Sequence, residues 1–417
     1  MKVRLTALDG LRGFAALTVV LGHLNDNYKF ISGANPLFQQ MYYIFSSGGE
    51  GVLIFFVLSG FLISSIYSKI SNPLAFIQKR YTRIFPIFLV VTTYLWTSNL
   101  FFKNHFIRLP LLVIIALFTR FIWKYFKKRN DSVKRIFLFT FLGLQTFMIF
   151  IALITLGHLN KAPKALSFLN YLTNLTLTFS FFQDAIKLEN VFWSLFPEIV
   201  FYLLYPIFII KIINFLKKSH KSCSVFVIIF SSFFLIGLGL LLPSFYLGHA
   251  TGFIAGVTIG TLYNSSSAFS KKIIEKFKSK ELNWFVLFLS IFTLSGFVNM
   301  PNLNRFIYSN SGYFLLFYLC FSGWVFAALV LTILTPNTLL NKIFSNKLLA
   351  FFGTISYSMY LIHSEAIRRS HIFFSYLSNY INFPNKEIVS IFVSLGTTIF
   401  VSFILFRLVE SLYFKKN

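Results

Sequence analysis

Residues Leu8–His23 read LDGLRGFAALTVVLGH, an apolar run with charge at its start and a histidine at its end. Asp9 and Arg12 stand at one end, His23 at the other, and ten uncharged residues separate Arg12 from His23. A run of that kind suits hydrocarbon. Yet an ionisable residue inside a membrane helix costs at least about 2.5–3.5 kcal/mol on insertion scales, so one retained there is a functional candidate by default. Eleven residues at about 100° each leave Arg12 and His23 about 20° apart on one helical face and about 16 Å apart along the axis. Asp9, three residues before Arg12, can pair with it across one turn. A histidine desolvated at that depth suits a general base, which must accept a proton. A packing histidine with a snorkelling arginine is the plainer alternative.

The rest of the chain supports lipid as its solvent. Of 417 residues, 56% are hydrophobic, 58 are Phe and only 12% are charged. A soluble domain of this size cannot bury so much apolar surface. The length suits one integral-membrane domain, 1–417, and the first apolar run has no small-residue cleavage site. The two cysteines, Cys223 and Cys320, provide no disulfide or zinc framework. HExxH, CxxC, Walker and GxGxxG patterns are absent from the sequence, so neither a metal nor a nucleotide-fold site is expected. The net charge of +26 would suit nucleic acid, but the basic residues lie in short clusters between apolar runs, as they do where charge orients membrane helices.

Apolar runs of spanning length fall at about 8–26, 49–68, 84–102, 109–123, 136–156, 192–211, 225–242, 246–263, 284–300, 313–335, 349–367 and 388–410. The stretch 168–182 is short and dotted with Asn and Thr, and reads as a non-spanning or re-entrant helix. With the N-terminus in the cytoplasm, 26 of the 38 Lys and Arg fall on inside segments and ten on outside ones. Counting 168–182 as a span would put the KIINFLKKSHK cluster outside, against the positive-inside rule. The fold class is therefore all-α, a polytopic transmembrane bundle with both termini cytoplasmic. The basic loop 263–281 reads as a solvated face near anionic lipid.

Four groups of polar residues interrupt the apolar runs. The first is Asp9, Arg12 and His23. The second is KRYTR, where Arg80 and Arg83 at i, i+3 offer two guanidinium forks to a phosphate, or anchor the chain at the interface. The third is Glu50 within GGEGVLIFFVLSGFLI, where Ser59 and Gly60 suit close helix packing. The fourth pairs FWSLFPEIVFYLLYP, with Glu198, Tyr202 and Tyr205 on one face, with ISYSMYLIH, where Ser356, Tyr360 and His363 repeat that interval. Two such stripes line a wet cavity or hydrogen-bond the helices together. His105, His158, His220 and His371 fall in loops, and His249 lies near a span end.

These stretches, with FRLVES near the C-terminus, resemble in kind and order the acyltransferase-3 family of integral-membrane acyltransferases. The resemblance covers nearly the whole chain. It implies a bacterial inner-membrane enzyme that takes an acyl group from cytoplasmic acyl-CoA, usually acetyl-CoA, to a hydroxyl of a cell-surface polysaccharide or lipid-linked glycan. Arg12 and His23 match the family's R-x10-H pair, needed for activity, and Asp9 holds Arg12. Arg80 and Arg83 match its R-x-x-R motif near the CoA site. Glu198 and His363 match the glutamate and histidine of two later motifs. The chain departs from the family in carrying Ile199 after Glu198, where a second acid often stands, and Pro197 before it. It also adds a hairpin at roughly 109–156 to the usual ten core spans. The fused hydrolase-like domain of some relatives is not expected, so a separate partner acts on the acceptor or none is needed. A transporter of sugar or lipid would use a similar polar interior, but its inverted repeats have no counterpart in this sequence.

Overall fold

The structure is a computed structural model that describes residues 6–28, 35–67, 70, 72–101, 108–127, 140, 143–144, 168–179, 187–211, 245–265, 267–295, 312–383 and 385–412. The expected span at 225–242, nearly all of that at 136–156, and Cys223, His105, His158 and His220 lie outside them. The described residues are helical, with no strand among them. The helices are α1 (Thr6–Tyr28), α2 (Pro36–Ser46), α3 (Gly48–Ile66), α4 (Pro73–Phe101), α5 (Arg108–Lys127), α6 (Phe168–Leu175), α7 (Leu195–Leu204), α8 (Phe245–Tyr263), α9 (Ala268–Lys276), α10 (Lys280–Leu294), α11 (Gly312–Leu334), α12 (Leu339–Phe344), α13 (Lys347–Leu377) and α14 (Lys386–Leu408). Among the described residues, four stretches, Thr6–Asp26, Gly48–Ile66, Asn190–Ile209 and Lys386–Leu412, are long and apolar enough to cross a membrane. The chain is a membrane protein.

Three elements differ from the sequence expectation. Helix α2 was not expected; its eleven residues, PLFQQMYYIFS, are too short to show a spanning signal. Helix α4 starts at Pro73, so KRYTR lies inside a helix instead of in the loop before one. Helix α13 runs ten residues past the expected span end at 367, because SEAIRRSHIFFSYL continues the helical pattern through polar residues. Within the segment 168–182 the described helix, Phe168–Leu175, has eight residues, about 12 Å and short of a span, and Leu177 just beyond it has φ 59°.

The chain forms two compact units, Met1–Ser71 with Leu204–Tyr357, and Asn72–Leu203 with Ser358–Asn417. In the first, α3 and α8 pack along small residues, since Gly252, Gly256 and Gly260 recur every fourth position on α8. A Cβ on Gly256 would lie 2.1 Å from Val57 O, and one on Gly60 2.3 Å from Phe253 O. The backbones therefore touch, and Phe56 stacks on Phe253 at 4.3 Å between centroids. His249, buried edge-on to Phe56, is a packing residue there. Helix α1 meets the N-terminal turns of α13 as closely: a Cβ on Gly353 would fall 1.8 Å from Asp9 O. Leu11, Ala15, Leu53, Val57, Ile259, Phe326 and Val330 fill the apolar core among α1, α3, α8 and α11.

In the second unit, α4, α5, α6, α13 from Ser358 and α14 surround a polar interior. Phe88 packs edge-on to Phe192, and Ser358 donates to the buried Glu410 at 2.6 Å. That bond ties the FRLVES end of the chain to the SYSMYLIH helix. Arg120 closes the C-terminus of α14 by donating to the carbonyls of Arg407 and Leu408, each at 2.9 Å.

Candidate functional site

In the first unit the geometry begins with helix α1. Asp9 Oδ1 lies 3.6 Å from Arg12 Nη1, both side chains about one-fifth exposed, so the i, i+3 pair exists. Gly10 and Gly353 bring this turn into backbone contact with α12 and α13, where a side chain would overlap Phe344 O and Asp9 O. The pair is therefore held by the packing of glycines.

His23 lies on the same face but in different surroundings. The sequence predicts a desolvated ring; instead its side chain is 34% exposed, and Nδ1 lies 3.4 Å from Asp26 Oδ2. The reason is local: Asp26, one turn further along α1, is 70% exposed, so the ring sits beside a solvated carboxylate at an open end of the helix. Asp26 is not among the residues expected from the sequence, although the pattern HLND, with the acid three residues after His23, carries the signal. A carboxylate at Nδ1 favours the tautomer that donates from Nδ1 and leaves Nε2 as the acceptor. Tyr42 of the unexpected α2 donates to Leu21 O, and Gly22 admits Ser46 O, so α2 braces this end of α1. Burial, and then the charge of Asp26, push the Tyr42 phenol well above its usual range, so it stays a donor. Between Arg12 and His23, Ala16 and Val19 are buried, and Gly51 of α3 packs against Ala15, Thr18 and Val19. Arg12 and His23 are thus two stations on one helix, not one cluster. Glu50 is occupied by Tyr318, whose hydroxyl lies 2.8 Å from Glu50 Oε1 and 3.0 Å from Thr293 O.

The second unit gathers four of the expected residues. Arg80 is buried, its guanidinium carbon 5.6 Å from the ring centres of both Phe76 and Tyr202. Tyr202 in turn donates to Glu198, one turn away on α7, so Arg80, Tyr202 and Glu198 form one chain of contacts. Arg83, half-buried, follows Arg80 by one turn of α4. His363 is fully buried, with Nδ1 2.8 Å from Tyr360 O, which orients the ring and leaves Nε2 as the acceptor. Tyr360 donates to Val191 O at 2.9 Å and lies 2.7 Å from Ser194 Oγ. The polar stripe of ISYSMYLIH therefore meets the FWSL turn by direct hydrogen bonds, the packing alternative for Tyr360.

A larger polar cluster in this unit was missed by sequence reading. Glu365, 2% exposed, accepts from Arg368 and, at 2.7 Å, from Arg369; Tyr94 donates to it at 3.3 Å. Arg368 also lies 3.8 Å from the buried Glu189. The signal was present as Glu-x-x-Arg-Arg, i, i+3 and i+4 on one helix, with Glu365 inside the expected span 349–367 and both arginines just past its end. A cavity of about 570 Å³, lined by Tyr94, Glu365, Arg369, Phe373, Gly396 and Phe400 among others, opens beside the cluster. Glu365→Gln is expected to cost about 1.5–3 kcal/mol, because both arginines lose a charged acceptor. An unchanged melting temperature would show the cluster to be screened by solvent. Among the described residues no group of three His, Cys, Asp or Glu converges to hold a metal ion.

Comparison with known proteins places these residues in a family. The model described as "Acyltransferase domain" (Acyl_transf_3) matches residues 5–183 and 165–407. The chain belongs to that acyltransferase family. It is 24% identical over 435 residues to "Putative O-acetyltransferase SACOL0978" of Staphylococcus aureus strain COL, covering 98% of this chain and 57% of that protein. It is also 24% identical over 388 residues to O-acetyltransferase OatA of Staphylococcus aureus strain NCTC 8325, covering 87% of this chain and 50% of OatA. The chain thus spans about half the length of the curated relatives it matches. No solved structure matches it. The described residues carry every motif of the family resemblance, from LDGLRG in α1 to FRLVES, which begins in the last turn of α14 and runs past its end.

Proposed function

We propose that this acyltransferase-family protein is a membrane O-acyltransferase, in the first place an O-acetyltransferase. Its donor is acetyl-CoA or another acyl-CoA from the cytoplasm. Its acceptor is a hydroxyl of a cell-surface polysaccharide or a lipid-linked glycan. It sits in a bacterial cytoplasmic membrane with about ten core spans and both termini inside. The observation that supports the chemistry most is His23 with Asp26 at its Nδ1, on the helix that also carries the Asp9–Arg12 pair.

The reaction needs one proton moved and one acyl bond exchanged. The acceptor oxygen attacks the thioester carbonyl, and its proton passes to His23 Nε2. The C–S bond breaks, and the CoA thiolate leaves and takes up a proton, so that an ester and free CoA result. Asp26 steadies the imidazolium that forms and holds the ring's orientation. In the second unit Arg80 and Arg83 are the proposed contacts for the CoA phosphates, with Arg80 fixed between Phe76 and Tyr202. Arg12 steadies the CoA moiety or orients the site, and Glu198 and His363 act on the bound substrates. No metal takes part in this scheme.

Arg80→Lys keeps the charge but loses the flat guanidinium that the two rings grip. It is expected to raise KM for acetyl-CoA by about tenfold, the order of one desolvated cation–π contact, and to change kcat less. An unchanged KM would remove Arg80 from the donor site. The proposal as a whole is tested by mass analysis of the host's surface glycans with and without the gene. A lost acetyl increment is expected; loss of a different group would reassign the donor.

A further inference from the structure

The first unit carries a second concave site that acyl transfer does not use. It lies where α10 begins, beside the turn joining α11 to α12, and encloses about 420 Å³. Lys278, Lys280, Asn283, Trp284, Asn337 and Thr338 line it. We infer that this site holds the phosphoglycerol head of an anionic phospholipid. The inference is independent of the acyl-transfer reading.

Three observations lead there. The first is charge. Lys271, Lys272, Lys276, Lys278 and Lys280 fall within ten residues, against Glu275 and Glu281. Lys278 lies 4.0 Å from Glu275, both well exposed, a contact that water screens. Lys280 has no carboxylate at ion-pair distance among the described residues. The rim is therefore cationic and selects an anion.

The second is an acceptor that wants a donor. Asn283 spends its amide hydrogens on Phe277 O at 3.0 Å and Ser279 O, which fixes the orientation of the amide. Its Oδ1 is buried and has no donor among the described residues. Asn283 is one of the residues lining the cavity, and lysines at the rim with this amide beneath them suit a group that has phosphate oxygens and hydroxyls together. A glycerol phosphate head has both. A choline head has no hydroxyl and carries a positive charge that the lysines repel.

The third is continuity with hydrocarbon. Trp284, Phe285, Phe288, Ile291 and Phe292 are all exposed along one face of α10. That exposed apolar face starts at the cavity and suits lipid chains, and Trp284 at its head is a residue type enriched at membrane interfaces. A ligand with its head among the lysines has a path for its chains along the phenylalanines. A soluble phosphate would have no use for it.

The test uses the full chain in nanodiscs and reads lipid retention by native mass spectrometry. The probes are dioleoyl phosphatidylglycerol and dioleoyl phosphatidylcholine. The wild type should prefer phosphatidylglycerol. Lys278→Gln with Lys280→Gln should reduce that preference on the order of tenfold, following the worth of a lysine near an anionic surface. Lys271→Gln with Lys272→Gln removes equal charge from exposed positions on α9 and should leave it within about twofold. Equal losses from both pairs would mean diffuse surface charge and overturn the site, as would no preference in the wild type. Free glycerol phosphate displacing the lipid at matched concentration would overturn the lipid in favour of a soluble ligand.

Discussion

His23→Ala is expected to insert and fold like the wild type and to lose about 10²–10⁴-fold of its acyl-transfer rate, the usual worth of a positioned general base. Folding should survive because the ring is only part-buried and its charged neighbour, Asp26, is 70% exposed, so little packing is lost. The chemistry should not survive, because no other histidine of α1 is available and Ala presents no acceptor to the hydroxyl. Asp26→Asn gives the graded control. It keeps the shape beside Nδ1 but removes the charge that steadies the imidazolium, so it should fall between wild type and His23→Ala. Full activity in His23→Ala, measured as the rate at which acyl groups pass from acetyl-CoA to the acceptor, would end the proposed role.

Gly353→Ala is expected to damage the fold itself. The added Cβ would fall 1.8 Å from Asp9 O and 2.6 Å from Asp9 C, where a contact under 3.0 Å is essentially never found. Both sides of that contact are backbone, so no side chain can swing away, and α1 and α13 must separate. Overpacking of mobile side chains typically costs about 1–3 kcal/mol, and backbone overlap should reach or exceed the top of that range. The same movement displaces the turn that pairs Asp9 with Arg12, so any protein that folds should also be impaired in activity. Gly396→Ala is the matched control. Nothing lies within 4 Å of its added Cβ, so it should be neutral or slightly stabilising through helix propensity. Equal melting temperatures for the two variants would show that α1 and α13 are not in contact at Gly353.

Much of this was legible in the sequence, for physical reasons. Long apolar runs punctuated by basic clusters report a membrane bundle directly, because hydrocarbon tolerates little else. The Asp9–Arg12 pair followed from i, i+3 spacing alone. The glycines of LDGLRG and TGFIAGVTIG were visible as letters, but whether a glycine marks a turn or a backbone contact depends on the partner helix. Helix α2 carries no long apolar run and so produced no signal, yet Tyr42 and Ser46 brace α1 beside His23. The desolvation expected at His23 failed because position along a helix does not report how open its surroundings are, and Asp26 beside the ring is 70% exposed. Glu365 was overlooked because a carboxylate beside two arginines reads as a solvated helix end, whereas it is 2% exposed. Burial of a charged cluster depends on the packing of α4 and α13, which lie far apart in sequence.

The most direct measurement takes the purified full chain in proteoliposomes with radiolabelled acetyl-CoA and envelope glycans from the host. Wild-type protein should release CoA and place label in alkali-labile ester on the glycan in equal amounts, while His23→Ala should do neither above background. Labelled glycan formed at the wild-type rate by His23→Ala would contradict the account, and so would glycan uptake by the wild type with no thioester cleaved.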